Sequence, residues 1–148
     1  MEIEITFPGG ARVDAHFGPF TIPTDQRPHD GGEGSAPTPF DTFLASIGAC
    51  AGIYVLDFLR KRDLPTEGVR LIQRMQRDPN TGMIEQIDLE IQVLDGFPEK
   101  YHSAIARAAE LCAVKKHFEK PPHFNVTKRD VYPSYWLVVD VSLFCWHV

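Results

Sequence analysis

The stretch Thr38-Pro39-Phe40-Asp41-Thr42-Phe43-Leu44-Ala45-Ser46-Ile47-Gly48-Ala49-Cys50-Ala51-Gly52-Ile53-Tyr54-Val55-Leu56-Asp57-Phe58-Leu59-Arg60-Lys61-Arg62 reads as one helix with both ends marked. Thr38 suits an N-cap, Pro39 the first helical position, and Asp41, three residues after the cap, a short-chain form of the capping box. Arg60, Lys61 and Arg62 place cations where the helix dipole favours them. Between these ends the helix is apolar nearly all round, and such a helix must be covered on every side. A chain of 148 residues can hardly supply that cover alone, so a partner subunit is expected. Ala45, Gly48, Ala49 and Gly52 are small enough to let another backbone come close. The apolar run Phe43 to Leu56 has 14 residues, broken by Ser46, Gly48 and Gly52. It falls short of the roughly 18 of a membrane span, and no membrane partner is expected.

On the N-terminal side, Ile3, Ile5 and Phe7 alternate with Glu2, Glu4 and Thr6, the period of a half-buried strand. Pro8-Gly9-Gly10 marks a turn, and Arg12 to His16 and Phe20 to Ile22 read as further strands. From Pro23 to Pro39 the chain is dense in Pro, Gly, Asp and Ser, longer than the usual connection of about 4–6 residues, which points to a functional loop. On the C-terminal side, Val69 to Arg77 and Met83 to Leu94 read as a strand pair around Asn80-Thr81-Gly82. Ile87, Leu89, Ile91 and Val93 alternate there with polar residues, as in an antiparallel strand with one wet face. Pro98 opens a second helix running through Cys112 and on to Phe118 before Pro121-Pro122. Strand-like runs at Phe124 to Thr127 and Trp136 to Leu143 complete the order. The pattern predicts an α+β fold of antiparallel sheets and two long helices, in one domain over residues 1–148.

Composition narrows the chemistry. At 43% apolar and 24% charged residues, with a net charge of -5 and no basic tract, the chain has the composition of a globular protein, and no nucleic-acid partner is expected. Met1-Glu2-Ile3-Glu4-Ile5 lacks the basic start and apolar core of a secretory signal, so a cytoplasmic location is expected. Three widely spaced cysteines do not make a secreted disulfide framework. Cys50 shares a helical face with Phe43, Ser46, Ile47 and Tyr54; it is either apolar filler or a thiol in the floor of a pocket. Cys112 precedes Lys115 and Lys116, which would favour its thiolate if the segment is helical, or which form a solvated face. Cys145, among aromatics near the end, reads as filler. The six histidines have no metal-ligand spacing, and Gly31-Gly32-Glu33-Gly34 lacks the lysine of a phosphate loop, so no metal or cofactor is expected.

Asp30-Gly31-Gly32, Ala36-Pro37-Thr38-Pro39-Phe40-Asp41 and Leu44-Ala45-Ser46-Ile47-Gly48-Ala49-Cys50 together resemble the OsmC/Ohr family, the osmotically induced protein C and organic hydroperoxide resistance proteins. In that family a Gly-Gly loop leads through a Pro-acid helix start to a cysteine in a small-residue helix. Cys112-Ala113-Val114-Lys115 resembles its second signature, and the 62 residues between the cysteines match its spacing. The resemblance implies an intertwined homodimer with active sites at the subunit interface. It implies that Cys50 attacks an organic hydroperoxide as a thiolate, that Cys112 resolves the sulfenic acid as a disulfide, and that a dithiol reduces it. Only a thiolate is nucleophilic, and a nearby thiol traps the sulfenic acid before further oxidation.

The family also places beside the thiolate an arginine held by an acid, because burial alone would keep the thiol neutral. Arg12 and Arg27 both qualify; Arg12 follows a Gly-Gly step as in the peroxidase branch and is favoured. Asp41 matches the acid of the OsmC-like branch, while the peroxidase branch has a glutamate where this chain has Phe40. Nine residues before Cys50, Asp41 lies on the opposite helical face and roughly 13 Å along the axis, so it can act only on a loop or on a partner chain, or serve as the capping acid. Ala113 stands where family members commonly carry proline. Two other readings remain open: a dimeric binding or redox-sensing protein with an apolar interface pocket, and acyl transfer with His16 or His29 as base.

Overall fold

In the computed structural model, which describes residues 1–131, the elements follow the expected order. Strands β1 (Glu4–Gly9), β2 (Arg12–Phe17) and β3 (Phe20–Thr24) form an antiparallel sheet in the order β1-β2-β3. Helix α1 (Pro39–Arg60) follows, then the antiparallel pair β4 (Arg70–Arg77) and β5 (Ile84–Gln92), and finally α2 (His102–Ala109) and α3 (Ala113–Glu119). The fold is α+β with antiparallel sheets. The run Trp136 to Leu143 and Cys145 lie outside the described residues.

Helix α1 starts as its sequence dictates. Thr38 is extended, its Oγ1 accepts the Asp41 N–H at 3.1 Å, and Pro39 occupies the first turn, where a missing N–H costs nothing. At the other end the Arg62 guanidinium lies 3.8 Å from the Phe58 ring centroid and 5.8 Å from that of Tyr101, and donates to the Phe58 carbonyl at 3.1 Å. This ties the end of α1 to the approach of α2. One face of α1 supplies the core: Ala51, Val55, Phe58 and Leu59 meet Ile105 and Ala109 of α2 and the thiol of Cys112. Leu59 is 2% exposed, and burying such a side chain is worth about 1.5–3 kcal/mol.

Three expectations need correction. The helix after Pro98 is not continuous: a 3-10 turn at Glu99–Tyr101 leads into α2, which ends at Ala109. The Leu111 and Cys112 N–H groups then bond back to Ala108 and Ala109, tightening the turn, and Cys112 (ψ 127°) restarts the chain as the N-cap residue of α3. No glycine or proline marks this break; it is set by packing of Cys112 against α1. The run Phe124 to Thr127 is not assigned to a strand, and it has no sheet partner among the described residues. And α1 as a whole, at 22 residues with a mean hydropathy of 1.7 over its most apolar 18, is long and apolar enough to cross a membrane, unlike the shorter run within it. A third of that window (33%) is buried, and α1 packs on α2, α3 and β4.

Among the described residues, part of its apolar surface is left uncovered. Ile53 on α1 is 64% exposed, and on β1 the intended inner face is open, with Phe7 79% exposed. The main contacts of β1, β2 and β3 are with one another, while those of α1 are with the C-terminal elements.

Candidate active site

Folding brings Cys50 and Cys112 together. Cys50 sits half-buried near the middle of α1, at the edge between its packed and bare faces. Cys112 is 2% exposed, its Sγ 4.0 Å from the Ile47 carbonyl, less than one turn before Cys50. Both thiols are free. Because the chain restarts at Cys112, the first N–H groups of α3 have no intrahelical partner. Those of Val114 and Ala113, together with the Cys112 thiol, are the groups that favour the Cys50 thiolate.

This arrangement separates the two acidities. Cys50 is lowered from the ordinary thiol value, chiefly by the Val114 N–H, then by the Cys112 thiol, against an opposing effect of burial. Cys112 is raised, first by burial and then because ionisation would cost it the bond to Cys50. The reading in which Lys115 and Lys116 ionise Cys112 is thereby corrected: its desolvation prevails. The offset that Cys50 needs comes, within one chain, from backbone dipoles and a thiol, as at other helix N-termini that activate cysteines.

The two arginines lie elsewhere. Arg12 pairs with Asp14 on β2 at 3.1 Å, and Arg27 in the β3–α1 loop pairs with Asp41 through its Nη2, 3.1 and 3.2 Å from the two carboxylate oxygens. Asp41 is held below the usual carboxylate range by Thr38 and then by Arg27. It therefore does act on a loop, and it also lies at the capped helix start. Neither guanidinium is among the groups that shift Cys50. His16 is engaged between Thr6 and Thr21, at 2.9 and 3.0 Å, and His29 lies beside Asp30. Among the described residues no His, Cys, Asp or Glu cluster could hold a metal ion.

An apolar cleft of about 580 Å³, lined by Cys112 but not by Cys50, opens between β5 and helices α2 and α3. Leu89 and Ile91 line one wall, Ile105 and Phe118 the other, and Cys112 and Ile47 its inner end. Three features of the site were not singled out from the sequence: the N–H groups of Ala113 and Val114, this cleft, and the buried Asp25. The residue after a presumed helix end is the one signal that could have pointed to the first, had the break at Cys112 been marked.

The OsmC-like protein family matches residues 32–127 of the 148, a span that takes in the end of the β3–α1 loop, α1, Cys50, Cys112 and α3. The chain belongs to the OsmC-like family. Solved OsmC-like folds resemble it in three dimensions at low identity. One, from Psychrobacter arcticus, is described as an osmotic stress induced and detoxification response protein (TM-score 0.66, 19% identity, 77% of this chain and 85% of that one). Another is an OsmC-like protein from Mycoplasma pneumoniae (TM-score 0.65, 14% identity, 81% and 87%). A third, from Vibrio cholerae, is described as an organic hydroperoxide resistance protein with captopril bound in one of its active sites (TM-score 0.53, 15% identity, 82% and 86%). At these identities the likeness establishes the OsmC-like fold alone. Compared with curated protein sequences, the chain gives no significant match.

Proposed function

We propose that this OsmC-like protein is a thiol peroxidase that reduces organic hydroperoxides. The observation that carries the reading is the pair itself: a half-buried thiol favoured as thiolate, with a second, neutral thiol held against it. The Cys50 thiolate attacks the outer oxygen of a hydroperoxide, the O–O bond breaks, and the alkoxide leaves and takes up a proton as the alcohol. Cys50, oxidised by two electrons, is then a sulfenic acid. Cys112 attacks its sulfur, a disulfide forms and water leaves; a dithiol reductant returns both thiols and is itself oxidised to a disulfide. The apolar cleft suits the organic portion of the substrate.

The working unit in this reading is a homodimer in the cytoplasm, where a thiol pair can be returned to its reduced state, with no membrane partner. The bare faces of α1 and β1 support it. Arg27, fixed on Asp41 roughly 13 Å along the axis from Cys50, then serves the thiol of the opposite subunit across the interface. The rival reading, a dimeric binding or redox-sensing protein, is favoured by the same cleft. Steady-state reduction of cumene hydroperoxide with a dithiol separates them: the wild type should turn over, Cys50→Ser should not, and Cys112→Ser should stall after one equivalent. Absence of turnover in the wild type with both thiols reduced would overturn the enzyme reading and leave the binding one.

A further inference from the structure

The loop between β3 and α1 contains a buried carboxylate for which the peroxide chemistry has no use. Asp25 is 1% exposed. Its Oδ2 accepts the Glu33 N–H at 3.1 Å, the Ser35 N–H at 2.9 Å and the Ser35 hydroxyl at 2.8 Å, and its Oδ1 accepts the Gln26 N–H at 2.8 Å. Its own N–H donates to the Pro37 carbonyl at 3.2 Å. All four donors need acceptors, and only an ionised carboxylate offers acceptor oxygens on both sides. An amide in its place would turn an NH2 toward at least one of them. The hydrogen bonds, those of Ser35 foremost, hold the carboxyl down at about 2.

The loop so fastened is tightly folded around Arg27. The Arg27 carbonyl accepts from Asp30 N at 2.8 Å and Gly32 N at 3.1 Å, and Gln26 O accepts from Gly34 N at 3.0 Å. A Cβ on Gly32 would stand 2.0 Å from the Gln26 carbonyl oxygen and 2.8 Å from Asp25 Oδ1, so position 32 has no room for a side chain. From this rim the Arg27 side chain reaches Asp41 on the first turn of α1. The pair is solvent-exposed, and an exposed ion pair does little to fix its own geometry. The direction of Arg27 must come from its backbone, and its backbone is set by Asp25.

We propose that Asp25 is a positioning residue, its buried carboxylate gathering Gln26, Glu33 and Ser35 so that the loop aims Arg27 at Asp41 and, through it, at the thiol site. The last step rests on the reading of Arg27 as the cation of that site. Asp25 touches no reacting atom, so its role should be visible at Arg27 before it is visible in activity.

The experiment follows the Asp41 carboxyl carbon by NMR titration in wild type, Arg27→Ala, Asp25→Asn and the double variant, with the fold checked by circular dichroism and Cys50 alkylation rates measured alongside. In folded Asp25→Asn the Asp41 midpoint should rise to that of Arg27→Ala, the double variant should rise no further, and Cys50 alkylation should slow by the same factor in all three. A wild-type Asp41 midpoint in folded Asp25→Asn overturns the proposal. If Asp41 moves while Cys50 alkylation is unchanged in every variant, the positioning of Arg27 stands and the assignment of Arg27 to the thiol falls. Should Asp25→Asn not fold, Ser35→Ala, which removes one donor and keeps the carboxylate, takes its place: a partial rise at Asp41 supports the proposal and a wild-type midpoint overturns it.

Discussion

Cys112 lies against Cys50, and their acidities move in opposite directions: Cys50 is lowered, chiefly by the Val114 N–H and then by the Cys112 thiol, and Cys112 is raised, chiefly by burial and then by Cys50. A nucleophile and its resolving partner are thus distinguished by placement, one at the edge of a bare helix face and the other 2% exposed behind it.

The first consequence is a pH profile. Because Cys50 lies below the ordinary value, its thiolate forms at lower pH than that of a free cysteine, for which the pKa is about 8.5. Iodoacetamide should label Cys50 with a midpoint below that of glutathione, and Cys112 only at higher pH. Equal midpoints for the two cysteines would contradict the arrangement.

Acid should act on the loop through Asp25. Its pKa falls from 3.8 to about 2 on folding, so its contribution to stability is complete above 3.8, where the carboxyl is ionised in both states. As pH falls below 3.8 the unfolded chain takes up the proton first, and the contribution is gone by about 2. Urea unfolding should show Asp25→Asn less stable than wild type at neutral pH, with the difference shrinking across that window.

Gly32→Ala should cost about 1–3 kcal/mol, because its Cβ meets a backbone carbonyl oxygen at 2.0 Å and the backbone there cannot move without opening the loop. By contrast Leu59→Ala, in the core between α1 and α2, should cost about 2–5 kcal/mol. Denaturant midpoints of the two variants check both values.

The bare face of α1 predicts association. Ile53→Glu places a charge on a side chain that is 64% exposed in one chain, so the fold of that chain should be unaffected. Light scattering should show a dimer for the wild type and a monomer for this variant. A wild-type monomer would contradict the dimer proposal.

How much of this was legible depends on the range of the interaction. Thr38, Pro39 and Asp41 declare the start of α1 because capping is a contact between residues three apart. The alternation of β5 was legible for the same reason. The pairing of Cys50 with Cys112 came from the resemblance, since nothing in either segment alone brings them together. The break at Cys112 carries no glycine or proline, so helical periodicity runs straight through it, and with the break unread the N–H groups of Ala113 and Val114 stayed hidden. Asp25 sits in a run of Gly, Pro and Asp, where a carboxylate is ordinarily solvated, and its burial follows only from the closure of the loop.

The most direct measurement is mass spectrometry of the reduced protein after one equivalent of an alkyl hydroperoxide. The peptides containing Cys50 and Cys112 should be recovered joined, lighter than their sum by two hydrogens, and Cys112→Ser should instead leave Cys50 oxidised without a cross-link. Recovery of both peptides as unlinked thiols, or of Cys50 as a sulfinic acid beside a free Cys112 in the wild type, would contradict the account.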